Sequence, residues 1–309
     1  TDRLAFGRVV WDAARCVLAA AGYDGTKNAP PRKSYYMIIV PFAPRRRQSL
    51  PLYNRTLQSS HLLRQPNSRR IRPKSASIER VPETGAKRAA PMSGLTGQYE
   101  AHGSFARYPS FASQYVAPRA IEIWLPPSYH CSDRRFPVLY MHDGQNLFDP
   151  ALSYSGIPWA VDHTIAWLAR EGRIAEPIVV GIWNTPRRRR EYMPQAPYRD
   201  VDRTMRSVLL AHSEGPPLSD AYLRFIAEEL KPWVDAAYRT RPERAATMLM
   251  GSSMGGLISL YGVTRYPHVF GAAGCLSTHW PAGGSALTDY FARVLPAPGS
   301  RRFYFDFGT

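Results

Sequence analysis

The sequence has few cysteines and no long apolar run. Its three cysteines, Cys16, Cys131 and Cys275, lie far apart in 309 residues and form no Cys-x-x-Cys pair. This excludes a disulfide scaffold and a cysteine zinc site. No apolar run approaches the roughly 18 residues that a membrane-spanning helix requires, which excludes a helical integral membrane protein. Because 44% of the residues are hydrophobic, the chain still has enough apolar side chains for a folded core.

Acidic residues are also scarce, but mainly in the first third of the chain. The whole sequence has 40 Lys+Arg and 24 Asp+Glu, a formal charge of +16. Residues 1–91 contain 18 of the basic and 5 of the acidic residues, whereas residues 92–309 contain 22 and 19. The first segment is rich in Pro, Arg and Ser and has little periodicity, so we interpret it as a largely disordered extension. Residues 92–309 are predicted to form the folded domain.

Three interpretations of the extension remain open. A basic tail could bind nucleic acid, although Tyr53 is the only aromatic residue between Phe42 and Met92. A targeting segment is a second possibility, but the apolar stretch is short and interrupted. The favoured interpretation is translated sequence upstream of the true start, because Thr1 is not a Met and the composition changes at Met92. The tail interpretation also provides the alternative function, a nucleic-acid-binding protein with a non-catalytic hydrolase-like scaffold.

After Met92, short apolar runs alternate with segments of helical spacing. Alternation or continuous apolar character predicts strands at 120–125, 136–141, 177–183, 245–251, 269–277 and 302–307. Apolar residues three and four apart predict helices at 159–170, 219–238 and 256–266, with Ser219 as an N-cap. Strands that alternate with helices predict the α/β class, a mostly parallel sheet covered by helices on both faces.

One motif between a strand and a helix indicates nucleophilic catalysis. Gly251–Gly255 reads G-x-S-x-G, and the turn is expected to leave no room for a side chain at either glycine. It would project Ser253 above the sheet, at a helix N-terminus that favours developing negative charge. Ser252 is the alternative serine, but it lies one residue off the glycine spacing.

A second polar turn is predicted at the same edge of the sheet. The strand ending at Met141 continues into His142–Asp149, which is polar and centred on a glycine. Ligands bind at the carboxyl ends of strands in open α/β sheets. A backbone N–H from this turn, together with that of Met254, would form an oxyanion hole, although an ordinary strand-to-helix turn has a similar composition.

Residues from about 119 to 309 resemble the putative esterase (esterase D / enterochelin esterase-like) family of α/β hydrolases. The matching stretches occur in the family's order and are 138–149, 180–185, 191–194, 251–256 and 304–309. The resemblance implies ester hydrolysis through an acyl-enzyme on Ser253, with oxyanion N–H groups from Gln145 and Met254. Family substrates include siderophore trilactones, feruloyl and acetyl esters of plant polysaccharide, and S-formylglutathione. Some members are acyltransferases.

The base and the acid of the catalytic triad are not evident. Only His268 and His279 follow Ser253; His268 is at the wrong edge of the sheet, and His279 is one strand too early. Asp306 is the late carboxylate nearest the acid position. The resemblance places both groups later in the chain, so we expect them beyond Thr309. The domain would then be truncated at its C-terminus, and the chain as given nearly inactive.

The predicted substrate contacts come from the turns that follow three strands. They are Asp143, Gly144, Trp183, Asn184, Tyr192 and His279. Arg187–Arg190 would either attract anionic substrates or form a solvated loop. The expected substrate is a small-molecule, glycan or siderophore-type ester.

No cofactor, metal or membrane partner is expected, and nucleic acid is disfavoured as a partner. His130–Cys131 and His142–Asp143 are too sparse for a metal site. The sequence fixes neither the particular ester nor the oligomeric state. It also does not fix the compartment, with a slight preference for the cytoplasm.

Overall fold

The computed structural model describes residues 103–199, 201–297 and 299–306. These residues form one seven-stranded sheet in the order β1-β2-β4-β3-β5-β6-β7. The strands are β1 Ser104–Phe111, β2 Arg119–Leu125, β3 Val138–His142, β4 Ile178–Ile182, β5 Thr247–Ser252, β6 Ala272–Leu276 and β7 Arg302–Phe305. The β1–β2 and β2–β4 pairs are antiparallel and all others are parallel. The extension predicted for residues 1–91 lies outside the described residues.

Eight α-helices accompany the sheet within the described ranges. They are α1 Val161–Arg170, α2 Arg188–Tyr192, α3 Gln195–Arg199, α4 Arg203–Ser213, α5 Ser219–Arg224, α6 Lys231–Ala237, α7 Met254–Arg265 and α8 Gly284–Val294. A π-helical segment, Phe225–Leu230, joins α5 to α6. None of the helices in this part of the chain is long and apolar enough to span a bilayer.

The α/β class predicted from the sequence is confirmed. β3, β4 and β6 are buried at every residue, as their continuous apolar runs indicate. Neighbouring residues of β3 pack into different apolar layers: Val138 and Tyr140 contribute to one, Leu139 and Met141 to the other. Helices therefore cover both faces of the sheet, with α1 packed on the second layer.

Some predicted boundaries differ from the observed ones. β3 begins at Val138 because Phe136 makes only an isolated bridge with Thr240 and Pro137 has no N–H to donate. Ser219 is the first residue of α5 rather than its cap, and no side chain caps this helix. The long helix predicted there is present, but a π-helical segment interrupts it.

Strand β1 and helices α2, α3, α4 and α8 were not predicted. β1 is an edge strand whose inner residues are only half-buried, and its register shifts between Tyr108 and Phe111, around Pro109. Asp202 caps α4 by accepting a hydrogen bond from the N–H of Met205 at 2.8 Å. A weak apolar pattern and a proline therefore concealed elements at the margins of the sheet.

Candidate active site

Ser253 occupies a sharp turn between β5 and α7. Its backbone has φ 60° and ψ −118°, a region that residues other than glycine rarely adopt. A Cβ at Gly251 would lie 2.8 Å from the backbone of Gly255, so glycine is required at position 251. At Gly255 a Cβ would meet only ordinary contacts of 3.6 Å, so the expectation that position 255 has no room was wrong. The second crowded glycine is Gly256, where a Cβ would lie 2.6 Å from Thr278 Oγ1.

Backbone hydrogen bonds hold this turn to the segment that follows β6. The N–H of Ser253 donates to Leu276 O at 2.8 Å, and the N–H of His279 donates to Ser253 O at 3.2 Å. His279 therefore lies beside the nucleophile candidate, with its side chain half-buried. Ser252, the alternative serine, is the last residue of β5.

The hydroxyl of Ser253 is not hydrogen-bonded by any of the described residues. The residue is half-exposed, and within 103–199, 201–297 and 299–306 its Oγ has no hydrogen-bond partner. His268 follows α7 and packs against Tyr266, with 6.2 Å between the ring centroids. Asp306 lies one residue beyond the end of β7 rather than inside it, and it accepts a hydrogen bond from the N–H of Ser277. Neither residue bonds Ser253 in this part of the chain.

The turn after β3 forms a compact loop against β4. Asp143 has φ 59°, and Gly144–Asn146 is a single 3₁₀ turn that we call the oxyanion loop, after the role that the sequence predicts for it. A Cβ at Gly144 would lie 2.6 Å from Gly181 C, so only glycine permits this approach. The side chain of Gln145 accepts a hydrogen bond from the N–H of Asn184 at 3.3 Å.

Asp143 is buried and fully engaged by neighbouring side chains. Arg188 donates to both carboxylate oxygens, from Nε to Oδ1 and from Nη2 to Oδ2, each at 2.7 Å. Asn184 Nδ2 donates to Oδ1 at 2.7 Å, and the N–H of Asp143 donates to Tyr192 Oη at 3.2 Å. Three predicted substrate contacts therefore bind one another. Tyr192 has no exposed surface and Asp143 is 2% exposed, so both side chains are enclosed by the protein, and their contact with a substrate stays a prediction.

A second buried ion pair lies next to this cluster. Arg119 donates to the two oxygens of Glu191 at 2.9 and 2.7 Å, and each side chain is only 1% exposed. The Arg119 guanidinium stacks on Tyr222 at 5.1 Å from the ring centroid. Tyr222 Oη is 2.9 Å from Nδ1 of His142. Burial lowers the pKa of His142 to about 3, so this ring is neutral at physiological pH.

Three side chains of the arginine run, Arg187–Arg190, each contact a different partner within the protein. Arg188 binds Asp143, Arg189 pairs with Glu214 at 3.0 Å, and Nε of Arg190 donates to Pro216 O at 2.9 Å. The sequence interpretation of this run as a mouth or a solvated loop missed the role of Arg188. The available signal was Asp143 itself, because an aspartate that follows a buried strand requires a counter-charge if it is enclosed.

The remaining predicted contacts lie on the neighbouring loop. Trp183 is half-buried, and its backbone N–H donates to Ala120 O at 3.1 Å. Its contact with a substrate stays a prediction. The described residues contain no cluster of three or more metal-binding side chains. A cavity of about 510 Å³ between α1 and the β2–β3 connection is lined by none of the residues of this site.

Comparisons with known proteins assign the chain to a family. A family model described as "Putative esterase" matches residues 114–293. The uncharacterized protein YbbA of Bacillus subtilis (strain 168) is 24% identical over 200 residues, which is 65% of this chain and 72% of the relative. The uncharacterized protein YjcH of the same strain is 32% identical over 161 residues, 52% and 56% of the two chains.

Solved structures share the fold. The siderophore hydrolase EstA from Aspergillus nidulans has a TM-score of 0.51 and 19% identity, and the match covers 71% of this chain and 74% of EstA. The BES protein from Bacillus cereus has a TM-score of 0.50 and 15% identity, with 71% and 78% covered.

Proposed function

Because the chain belongs to the putative esterase family and is therefore an ester hydrolase, we propose that Ser253 is its nucleophile and that hydrolysis passes through an acyl-enzyme. The observation that carries this proposal is the backbone of Ser253, held at φ 60° between a buried strand and a helix. Such a turn presents the hydroxyl at the carboxyl edge of the sheet. Strained backbone of this kind concentrates at functional sites.

The oxyanion of the tetrahedral intermediate would bind two backbone N–H groups. Met254 is the first residue of α7, where N–H groups have no partner within the helix. Gln145 supplies the second N–H from the oxyanion loop on the neighbouring strand. Removing one donor of this kind typically lowers kcat by about 10²–10³-fold.

The base and the acid stay predictions in this proposal. The sequence predicts both after Thr309, and His279 is the described histidine whose backbone bonds Ser253. Activation of a serine hydroxyl requires a histidine within hydrogen-bond reach of Oγ.

The proposed substrate is a small-molecule ester. EstA, which shares the fold, is a siderophore hydrolase by its description. The half-exposed Trp183 would supply an aromatic wall suited to an aryl ester. Neither the family match nor these neighbours favours the alternative of a nucleic-acid-binding protein, which depends on residues 1–91.

Fluorophosphonate labelling of the naturally occurring protein tests the nucleophile. We expect one label per chain, located on Ser253 and lost in Ser253→Ala. Ser252→Ala is the matched control, because the neighbouring serine is also half-buried yet ends β5, and it should keep the label. A wild-type protein that is not labelled, or a label that survives Ser253→Ala, would contradict the proposal.

A further inference from the structure

We infer that Arg188 is a positioning residue for the oxyanion loop and acts through the carboxylate of Asp143. The inference rests on the proposed function, because it concerns the N–H of Gln145 that this function requires. It differs from the two roles predicted for the arginine run, anion attraction at the mouth of the site and a solvated loop.

The first support is the geometry of the pair. Asp143 has φ 59°, a left-handed conformation that few residues other than glycine adopt and that surrounding contacts must hold in place. Arg188 donates a hydrogen bond to each carboxylate oxygen of Asp143 at 2.7 Å, and Asn184 donates a third. A planar guanidinium that binds two oxygens fixes the orientation of a carboxylate as well as its position.

The second support is the location of that carboxylate. Asp143 directly precedes Gly144 and Gln145, so a rotation of its backbone would move the N–H groups of the oxyanion loop. On its other side, Oδ2 lies 3.6 Å from the position of a Cβ on Gly255, in the first turn of α7. The carboxylate therefore separates the two segments that would donate to the oxyanion.

The third support is electrostatic. An unpaired carboxylate at this position would oppose the negative charge that develops on the substrate oxygen. Burial opposes the charge of Arg188, but the hydrogen bond and charge of Asp143 outweigh it and raise the pKa of the guanidinium. Arg188 thus remains charged and neutralises Asp143. The N–H groups of Gln145 and Met254 then stabilise the substrate oxyanion without an opposing negative charge beside them.

Arg188 is itself held in place by α2. The guanidinium lies 4.9 Å from the ring centroid of Tyr192, one turn later on the same helix. The hydroxyl of that tyrosine accepts the N–H of Asp143. Helix α2 therefore holds the oxyanion loop through two side chains, one at the carboxylate and one at the backbone of the same residue.

The test compares Arg188→Gln, Arg188→Lys and the control Arg241→Gln, each made in the naturally occurring protein that the labelling experiment uses. Arg241 also pairs with a carboxylate, Glu243 at 2.7 Å, but lies before β5 at the opposite edge of the sheet. We would measure kcat and KM on a neutral acetyl ester, affinity for a phenylboronic acid that forms a tetrahedral adduct on Ser253, and thermal unfolding.

Arg188→Gln is expected to lower kcat and boronate affinity by about a hundredfold while KM changes little. Arg188→Lys should recover part of this loss, because one ammonium cannot bind both oxygens in the same way. It also provides the readout if Arg188→Gln does not fold. Adding Asp143→Asn to Arg188→Gln should restore part of the activity by removing the uncompensated charge. Arg241→Gln should match the wild type.

Two results would overturn the inference. One is unchanged kcat and boronate affinity in the Arg188 variants. The other is a change confined to KM for anionic esters, which would mean that Arg188 binds the substrate directly. A failure of the proposed function is recognised separately, because boronate binding by the wild type would then be absent or would survive Ser253→Ala.

Discussion

The two halves of the candidate site are held in place by different forces. The turn at Ser253, which we call the nucleophile turn after its proposed role, depends on the backbone. Gly251 permits the close approach of Gly255, and main-chain hydrogen bonds connect Ser253 to Leu276 and His279. The oxyanion loop depends on charged and polar side chains from several segments, chiefly the pair of Asp143 and Arg188. The two turns nevertheless follow strands that are direct neighbours, β3 and β5.

This difference predicts different weaknesses. A turn built from backbone and glycine has no tolerance for added volume but carries no charge that must be compensated. A cluster of buried charges has the opposite property, because removing one partner leaves the other uncompensated in a low-dielectric interior. Substitutions that add a methyl group should therefore affect the first region, and substitutions that remove one charge should affect the second.

The largest expected effect is the loss of one buried charge. Arg119→Met leaves Glu191 buried without its partner and should lower the free energy of unfolding by about 3–5 kcal/mol. The matched double variant, Arg119→Met with Glu191→Leu, should recover most of this loss, because both charges are gone. Urea denaturation measures both. A double variant no more stable than Arg119→Met would show that the region does not depend on charge compensation.

The second effect is the loss of stability caused by adding a methyl group to the nucleophile turn. Gly251→Ala places a Cβ 2.8 Å from the backbone of Gly255 and should cost about 1–3 kcal/mol or more of stability. Gly255→Ala is the control within the same motif, because its Cβ would meet only contacts of 3.6 Å, and it should cost less than half as much. Equal losses of melting temperature in the two variants would contradict this assignment.

The third effect, ranked by its size per pH unit, is a dependence of stability on pH from His142. Burial lowers the pKa of this residue to about 3 in the folded state, below the ordinary value of 6.5. The unfolded chain therefore binds more protons between these values, so stability is full above about pH 6.5 and falls on acidification. The contribution is about 1.4 kcal/mol per pH unit within the window.

Urea denaturation between pH 4 and 7 measures this slope, which should become shallower in His142→Gln. Tyr222→Phe should keep it, since burial is the main cause of the shift and the hydroxyl of Tyr222 is not. The same slope in the wild type and in His142→Gln would refute the assignment.

The smallest effect is the loss of one neutral hydrogen bond beneath the oxyanion loop. Tyr192→Phe removes the acceptor of the Asp143 N–H and should cost about 1 kcal/mol. It would also accelerate amide exchange at Asp143, which hydrogen–deuterium exchange detects. An unchanged exchange rate at Asp143 would mean that Arg188 and Asn184, and not Tyr192, hold the oxyanion loop in position.

The sequence predicted the elements whose signal is local. Continuous apolar runs identified β3, β4 and β6, and the spacing of two glycines around Ser253 identified the sharp turn between β5 and α7. β1 was missed because its half-buried residues and Pro109 give no strand signal until its partner β2 is in place.

The need of Asp143 for a counter-charge could be predicted, but the identity of its partner could not, for a different reason. The two residues are 45 positions apart, and no local pattern states which of four consecutive arginines turns inward. The complete burial of Tyr192 was likewise unpredictable, because it depends on how α2 packs against the loop after β3. Supports of this kind are set by tertiary packing, whereas turns are set by neighbouring residues.

The backbone of Ser253 has one further consequence, for evolution. At φ 60° and ψ −118° the position suits glycine better than any residue with a side chain. Selection for stability alone would therefore favour glycine in place of this serine. The proposed reaction requires the serine hydroxyl, so stability and catalysis favour different residues at this position. Under the proposed function, a serine that persists there across descendants of this gene would record continuous selection for catalysis. A glycine would mark a lineage that has kept the fold and lost the reaction.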